Sequence, residues 1–258
     1  MSDSTMRAKR AMQALRAADQ RGVGQVAGGM GAEAIDRLAA LDECTLAYRT
    51  WSPRVVPGLL QTPAYTAGAI KSHTPGRPTE DVGPLVTHRR RRSEAFFNRR
   101  AHLNGCLAWF LIGENAIRYP LMNAHSHAEQ LRQLLSQIEE PNNVVIQVLP
   151  VDTPIPVTAE PFSLFVLDPG PIVGHLETAI GGFYTITTED IATLNGAFSD
   201  MVGRAMSTRD SREFIREELY GCSGSGQTSA YTAEPTTPHP VTPTPKTVLP
   251  SPSPEASA

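Results

Sequence analysis

Two carboxylates stand out by position. Glu114 follows the apolar run Leu103–Ile112, and Glu177 closes the run Ile172–Glu177. Both are expected at sheet ends facing a common cleft, where a carboxylate pair can do general acid–base work or hold arginines or an amine-bearing ligand. The run His88–Arg92 (HRRRR), with Arg99 and Arg100 beyond it, is the densest basic feature. On a helix Arg89, Arg92 and Arg99 share roughly one face, and Arg90 and Arg91 point elsewhere. Such a face can contact phosphate. Only Phe96 and Phe97 lie near enough to stack bases, however, so a solvated helix pairing with acidic residues elsewhere is preferred and direct nucleic-acid binding ranks last. A single arginine, Arg89 or Arg92, can instead clamp a carboxylate. His125 and His127 are spaced for a metal on a strand, yet they stand where a helix should begin and lack an evident third ligand. No metal or cofactor is expected. The chain has no GxSxG, HExxH or Walker lysine, and no GxGxxG after a strand. Cys106, inside an apolar run, reads as inert core.

Pro57-Gly58 sets a tight turn before Leu59-Leu60, and Gln61-Thr62-Pro63 reads as a helix entry. Gln61 then lies at a helix N-terminus, within reach of a buried or ligand polar group.

The elements that must position these residues follow from periodicity. Helices are expected over Ser4–Gln20, Ala32–Tyr48, Pro63–Ser72, Thr79–Asn98 and Ala124–Glu139. Strands are expected within Leu103–Ile112 and at Val144–Leu149, Phe162–Leu167, Ile172–Glu177 and Phe183–Ile186, the last three as an antiparallel meander. Two helices, Thr188–Met206 and Ser207–Tyr220, close the domain with Gly221 as a cap. The fold class is α+β: N-terminal helices, a mostly antiparallel sheet of four or five strands, and two C-terminal helices.

The 258 residues, 40% hydrophobic and 19% charged, suffice for a packed core. Residues 1–31 read as a helix and a Gly-rich linker, 32–221 as the main domain, and 222–258 as a disordered Pro/Ser/Thr-rich tail. No apolar run has transmembrane length and no signal peptide is visible, so a cytoplasmic protein is expected. Three cysteines at wide spacing make no disulfide framework. Residues 44–100 carry ten Lys/Arg against three Asp/Glu, and residues 151–220 carry four against eleven, so the two segments could pair in the fold.

The segment Val56-Pro-Gly-Leu-Leu-Gln-Thr62, followed by Ala64-Tyr65, resembles the signature of a domain that follows the Xre-type helix-turn-helix in actinobacterial antitoxin-like transcriptional regulators. The arginine-rich Val86–Ser93, Leu111–Arg118 with Glu114, Gln130-Leu131…Leu134, Val144–Pro150 with Gln147, His175-Leu-Glu177 and Ala205–Ser211 continue the likeness in order over about residues 40–220. Where that family carries Arg-Gln in its basic helix, this chain has Arg92-Ser93. The first 40 residues are short and glycine-interrupted for a helix-turn-helix, so DNA binding is not carried over. The resemblance implies a regulatory module that binds a small-molecule ligand or a regulator protein. Its candidate contacts are Gln61, Tyr65, Arg89, Arg92, Glu114, Gln147 and Glu177. The alternative is a biosynthetic enzyme on the same pocket, acting on a specialised-metabolite intermediate through Glu114 and Glu177.

Overall fold

Alternation along Thr45–Ser52 divides the molecule into two faces. Tyr48 packs into one apolar cluster and Trp51 into another, as the two-residue period of a strand requires. This computed structural model describes Met6 and residues 25–27, 32–74, 78–101, 107–140, 143–155, 160–168, 170–178 and 181–224. The expected helix over Ser4–Gln20, Cys106 and the tail from 225 onward lie outside the described residues, apart from Met6.

The chain runs β1 (Gln25–Ala27), α1 (Ala32–Asp42), β2 (Thr45–Ser52), α2 (Pro63–His73), α3 (Val82–Ala101), β3 (Ala108–Gly113), α4 (Glu114–Arg118), α5 (Ala124–Glu139) and β4 (Val144–Leu149). It continues with β5 (Phe162–Leu167), β6 (Ile172–Thr178), β7 (Gly181–Thr185), α6 (Thr188–Arg204) and α7 (Thr208–Gly224). One sheet has the order β1-β7-β6-β5-β2-β3-β4. It is mostly antiparallel, with β2, β3 and β4 parallel to one another. Those parallel pairs need helical crossovers, supplied by α2–α3 and by α4–α5.

The α+β class holds, with seven strands among the described residues in place of four or five. The helix expected over Ala32–Tyr48 ends at Asp42 instead. Thr45 to Ser52 is rich in β-branched and aromatic residues, and Thr45 Oγ1 donates to the Leu41 carbonyl at 2.7 Å, satisfying the outgoing helix end. Another added strand is β1, from the stretch read as linker. Gly221 lies inside α7 rather than capping it.

Helices cover both faces. Tyr48, Phe110, Ile146, Val148, Phe165 and Val173 face one cluster with Leu60, Leu131, Leu134 and Ile215. Trp51, Leu111, Leu149 and Leu164 face Ile191, Leu194, Phe198 and Met201 of α6. The described elements all belong to one unit, Met1–Ser225.

Candidate functional site

The segment between β2 and α2 is tied by side chains rather than by regular backbone pairing. Gln61 Nε2 donates to the Val56 carbonyl at 2.6 Å, and the Val56 amide donates to Tyr65 Oη at 3.1 Å. From α5, Gln130 Nε2 donates to Leu60 O, and Gln130 Oε1 accepts from Thr62 N, both at 2.8 Å. Ser93 Oγ donates to Leu59 O at 2.6 Å. Pro63 and the Thr62 side chain, which accepts from Tyr65 N, start α2. A turn held from three helices keeps its shape, and it carries Arg89 with it: Arg89 Nη1 donates to Gln61 Oε1 at 2.9 Å, and Thr66 Oγ1 to the same oxygen at 3.2 Å.

Below this turn, strand register lines up a row of polar residues on a mostly apolar sheet face. Thr50 is opposite Ser163, Ser163 opposite His175, and His175 opposite Tyr184. Thr50 Oγ1 lies 2.9 Å from Ser163 Oγ, which lies 3.0 Å from Tyr48 Oη. The His175 and Tyr184 rings are 4.6 Å apart between centroids. A Cβ on Gly182 would stand 2.3 Å from His175 Nε2, so the imidazole occupies the space that a glycine leaves open. Burial lowers the His175 pKa to about 4, a shift that Glu177 opposes and Arg92 reinforces, so the ring is neutral at physiological pH. Burial also pushes Tyr184 up to about 12.

Turn and row enclose a cavity of 380 Å³, within the range of small-molecule sites, about 300–1,000 Å³. Its interior is lined by Tyr48, Thr50, Ser163, His175, Arg89 and Arg92, with Leu38, Val56, Leu59 and Phe165 as apolar wall. The exposed members of the lining, Arg54, His73, Glu160 and Glu177, mark the mouth. The two arginines differ. Arg92 Nε donates to Asp42 Oδ2 at 2.6 Å with both side chains nearly out of water. Burial alone would lower its pKa, but the Asp42 carboxylate raises it above the ordinary value. Arg89 is lowered to about 10 by burial, with Glu177 opposing the shift, and stays charged at neutral pH.

Of the residues named from sequence, Gln61, Arg89, Arg92 and Glu177 line this cavity. Tyr65 is fully buried and serves the turn, its hydroxyl accepting from Val56. Gln147 is on the opposite sheet face: its Oε1 accepts from Trp109 Nε1 and its Nε2 donates to Met206 O, both at 2.8 Å. Glu114 accepts from Arg118 and from the Val151 amide and is absent from the lining. The expected common cleft for Glu114 and Glu177 therefore does not form. Glu114 just after β3 and Glu177 near the end of β6 lie toward the same end of the sheet, but β5 and β2 lie between β6 and β3, a separation of roughly 14 Å at strand spacing. His127 Nε2 bonds the Ile117 carbonyl at 2.8 Å, and among the described residues no cluster of three metal-binding side chains occurs. In the basic helix Arg92 takes its buried counter-charge from Asp42 of α1, and Glu177, within residues 151–220, acts on the charge of Arg89.

Sequence reasoning missed Thr50, Ser163, His175 and Tyr184. The signal was available in Phe162–Leu167 (FSLFVL) and in Ile172–Glu177, where a polar residue falls on one face of an otherwise apolar strand.

A family model described as Domain of unknown function (DUF5753) matches residues 35–217. No curated protein and no solved structure matches. The matched span runs from α1 into α7 and includes every strand that frames the cavity.

Proposed function

We propose, on the premise that this chain belongs to the DUF5753 family, that it is a cytoplasmic regulatory module that binds a small molecule in the cavity between β2, β5, β6 and α3. The observation that carries this reading is the row Thr50–Ser163–His175 beneath Arg89. Polar groups set into an apolar sheet face weaken packing, and a ligand gives them a use. The likeness to the companion domain of Xre-type regulators supports a regulatory role. Among the described residues no helix is long and apolar enough to cross a membrane. The enzymatic alternative names Glu114 and Glu177 as its pair, and Glu114 is absent from the lining of this cavity.

Native mass spectrometry of the full chain purified from its own host tests the reading. The expected result is a bound small molecule, absent from a Ser163→Phe variant that fills the cavity and keeps its circular dichroism spectrum. A protein partner retained with the cavity empty would replace ligand binding by docking.

A further inference from the structure

His175 lines the cavity at 8% exposure, in ring contact with Tyr184. Among the described residues neither of its ring nitrogens has a hydrogen-bond partner. An imidazole taken out of water in this way costs free energy unless a group in the cavity meets it. Burial keeps the ring neutral, so it offers one N–H donor and one lone pair.

Its neighbours in the row offer acceptors. Ser163 is opposite His175, and Thr50 opposite Ser163. Thr50 Oγ1 donates to the Phe162 carbonyl at 3.1 Å, which commits its one hydrogen, since a carbonyl only accepts. Ser163 therefore donates across the 2.9 Å contact to Thr50, and Tyr48 across the 3.0 Å contact to Ser163. What Thr50 and Ser163 leave for a ligand is lone pairs. A group that bridges Ser163 and His175 donates to the first and accepts from the second. A hydroxyl does both with one oxygen, whereas an ether or carboxylate only accepts and an ammonium only donates.

The charges around the cavity balance. Arg54, Arg89 and Arg92 stand against Glu160, Glu177 and the Asp42 that pairs with Arg92 at 2.6 Å. Glu177 acts on the charge of Arg89, whose Nη1 also donates to Gln61 at 2.9 Å. His73 at the mouth adds a charge only when protonated. With neither sign in excess among these groups, an ionic ligand gains no net attraction to set against its desolvation. Leu38, Val56, Leu59 and Phe165 supply an apolar wall.

Resting on the binding-module reading above, we infer that the ligand is an uncharged, largely apolar molecule carrying a hydroxyl group. That hydroxyl donates to Ser163 Oγ and accepts from the His175 ring, and the apolar body lies along Leu38, Val56, Leu59 and Phe165.

The test is a thermal-shift and calorimetric titration of the full chain with octanol, cyclohexylethanol, phenylbutanol and naphthylethanol. Each is run beside its methyl ether and beside the carboxylic acid and the amine of the same skeleton, with the cavity-filling Ser163→Phe variant as reference. At least one alcohol should raise the unfolding midpoint above that reference. Its ether, acid and amine should bind on the order of 10-fold more weakly, the size of a lost hydrogen bond. His175→Phe and Ser163→Ala, each checked for an unchanged circular dichroism spectrum, should lose the preference for alcohol over ether; Ser163→Ala, the smaller change, serves alone if His175→Phe does not fold. An ether equal to its alcohol, a preference kept in the folded variants, or no shift with any alcohol would overturn the assignment. A shift with an acid or amine alone, abolished by Ser163→Phe, rejects the uncharged class and keeps the binding module. No cavity-dependent shift with any compound tells against both.

Discussion

Arg92 and Asp42 retain only 8% and 5% side-chain exposure at 2.6 Å separation. Removing one member of such a pair leaves an uncompensated buried charge, which costs about 3–5 kcal/mol, whereas replacing both by apolar groups is often neutral. Asp42→Asn should therefore lower the guanidinium chloride midpoint strongly, and Asp42→Leu with Arg92→Met should recover much of it. His175 makes a different prediction. With its pKa lowered from 6.5 to about 4 in the folded chain, the unfolded chain binds the proton more readily between those values. The neutral ring's contribution is fully present above pH 6.5 and is lost as pH falls toward 4, amounting to about 3 kcal/mol. His127 is lowered in the same direction by burial. Stability measured from pH 7 to 4.5 should fall, and His175→Asn should remove a large share of the slope. An unchanged slope in that variant would show the ring to be less buried than its surroundings indicate.

At the scale of elements, the turn before α2 depends on α5. Gln130 alone satisfies both Thr62 N and Leu60 O, and an orphaned buried group costs about 1–3 kcal/mol. Gln130→Ala should destabilise by about 2–4 kcal/mol in urea titration and weaken the proposed ligand binding as well, because Gln61 and Arg89 follow the turn. Close backbone approach sets the other end of the segment. A Cβ at Gly113 would lie 2.3 Å from the Pro53 carbonyl, so the β3–α4 junction accepts only glycine without backbone movement. The free edge of β4 is guarded by the α6–α7 junction: Val148 N donates to Ser211 Oγ, and Met206 N to Val148 O, each at 2.9 Å. Those bonds occupy groups that would otherwise invite another strand.

Across the whole molecule, one sheet supplies both apolar clusters, so neither face can lose its packing without exposing the other side of the same strands. Leu134→Ala on one face and Phe198→Ala on the other should each shift a single transition, by about 2–5 kcal/mol. Tryptophan fluorescence and far-ultraviolet circular dichroism should give coincident curves in both variants. Part of the charge asymmetry resolves close to the arginine run. Arg92 turns inward to Asp42, Arg99 Nη1 donates to the Asp42 carbonyl, and Arg90 bonds Glu94. Arg89, Arg92 and Arg99 thus turn into the fold, and Arg90 pairs on the surface.

Local information determined a good deal. Periodicity and caps placed α2, α5, β4, β5 and β6 close to their observed limits, because these depend on residues adjacent in the chain. The shared face of Arg89, Arg92 and Arg99 was likewise legible, being a property of one helix. Tertiary structure alone decided the strand order that parts Glu114 from Glu177, the burial of Tyr65, the face given to Gln147, and the Thr50–Ser163–His175–Tyr184 row. That row draws one residue from each of four strands, and register between strands distant in sequence is set by global packing rather than by any local pattern. The β2 strand shows the same physics at its boundary: its short segment could read as helix until the sheet on both sides supplied its backbone partners.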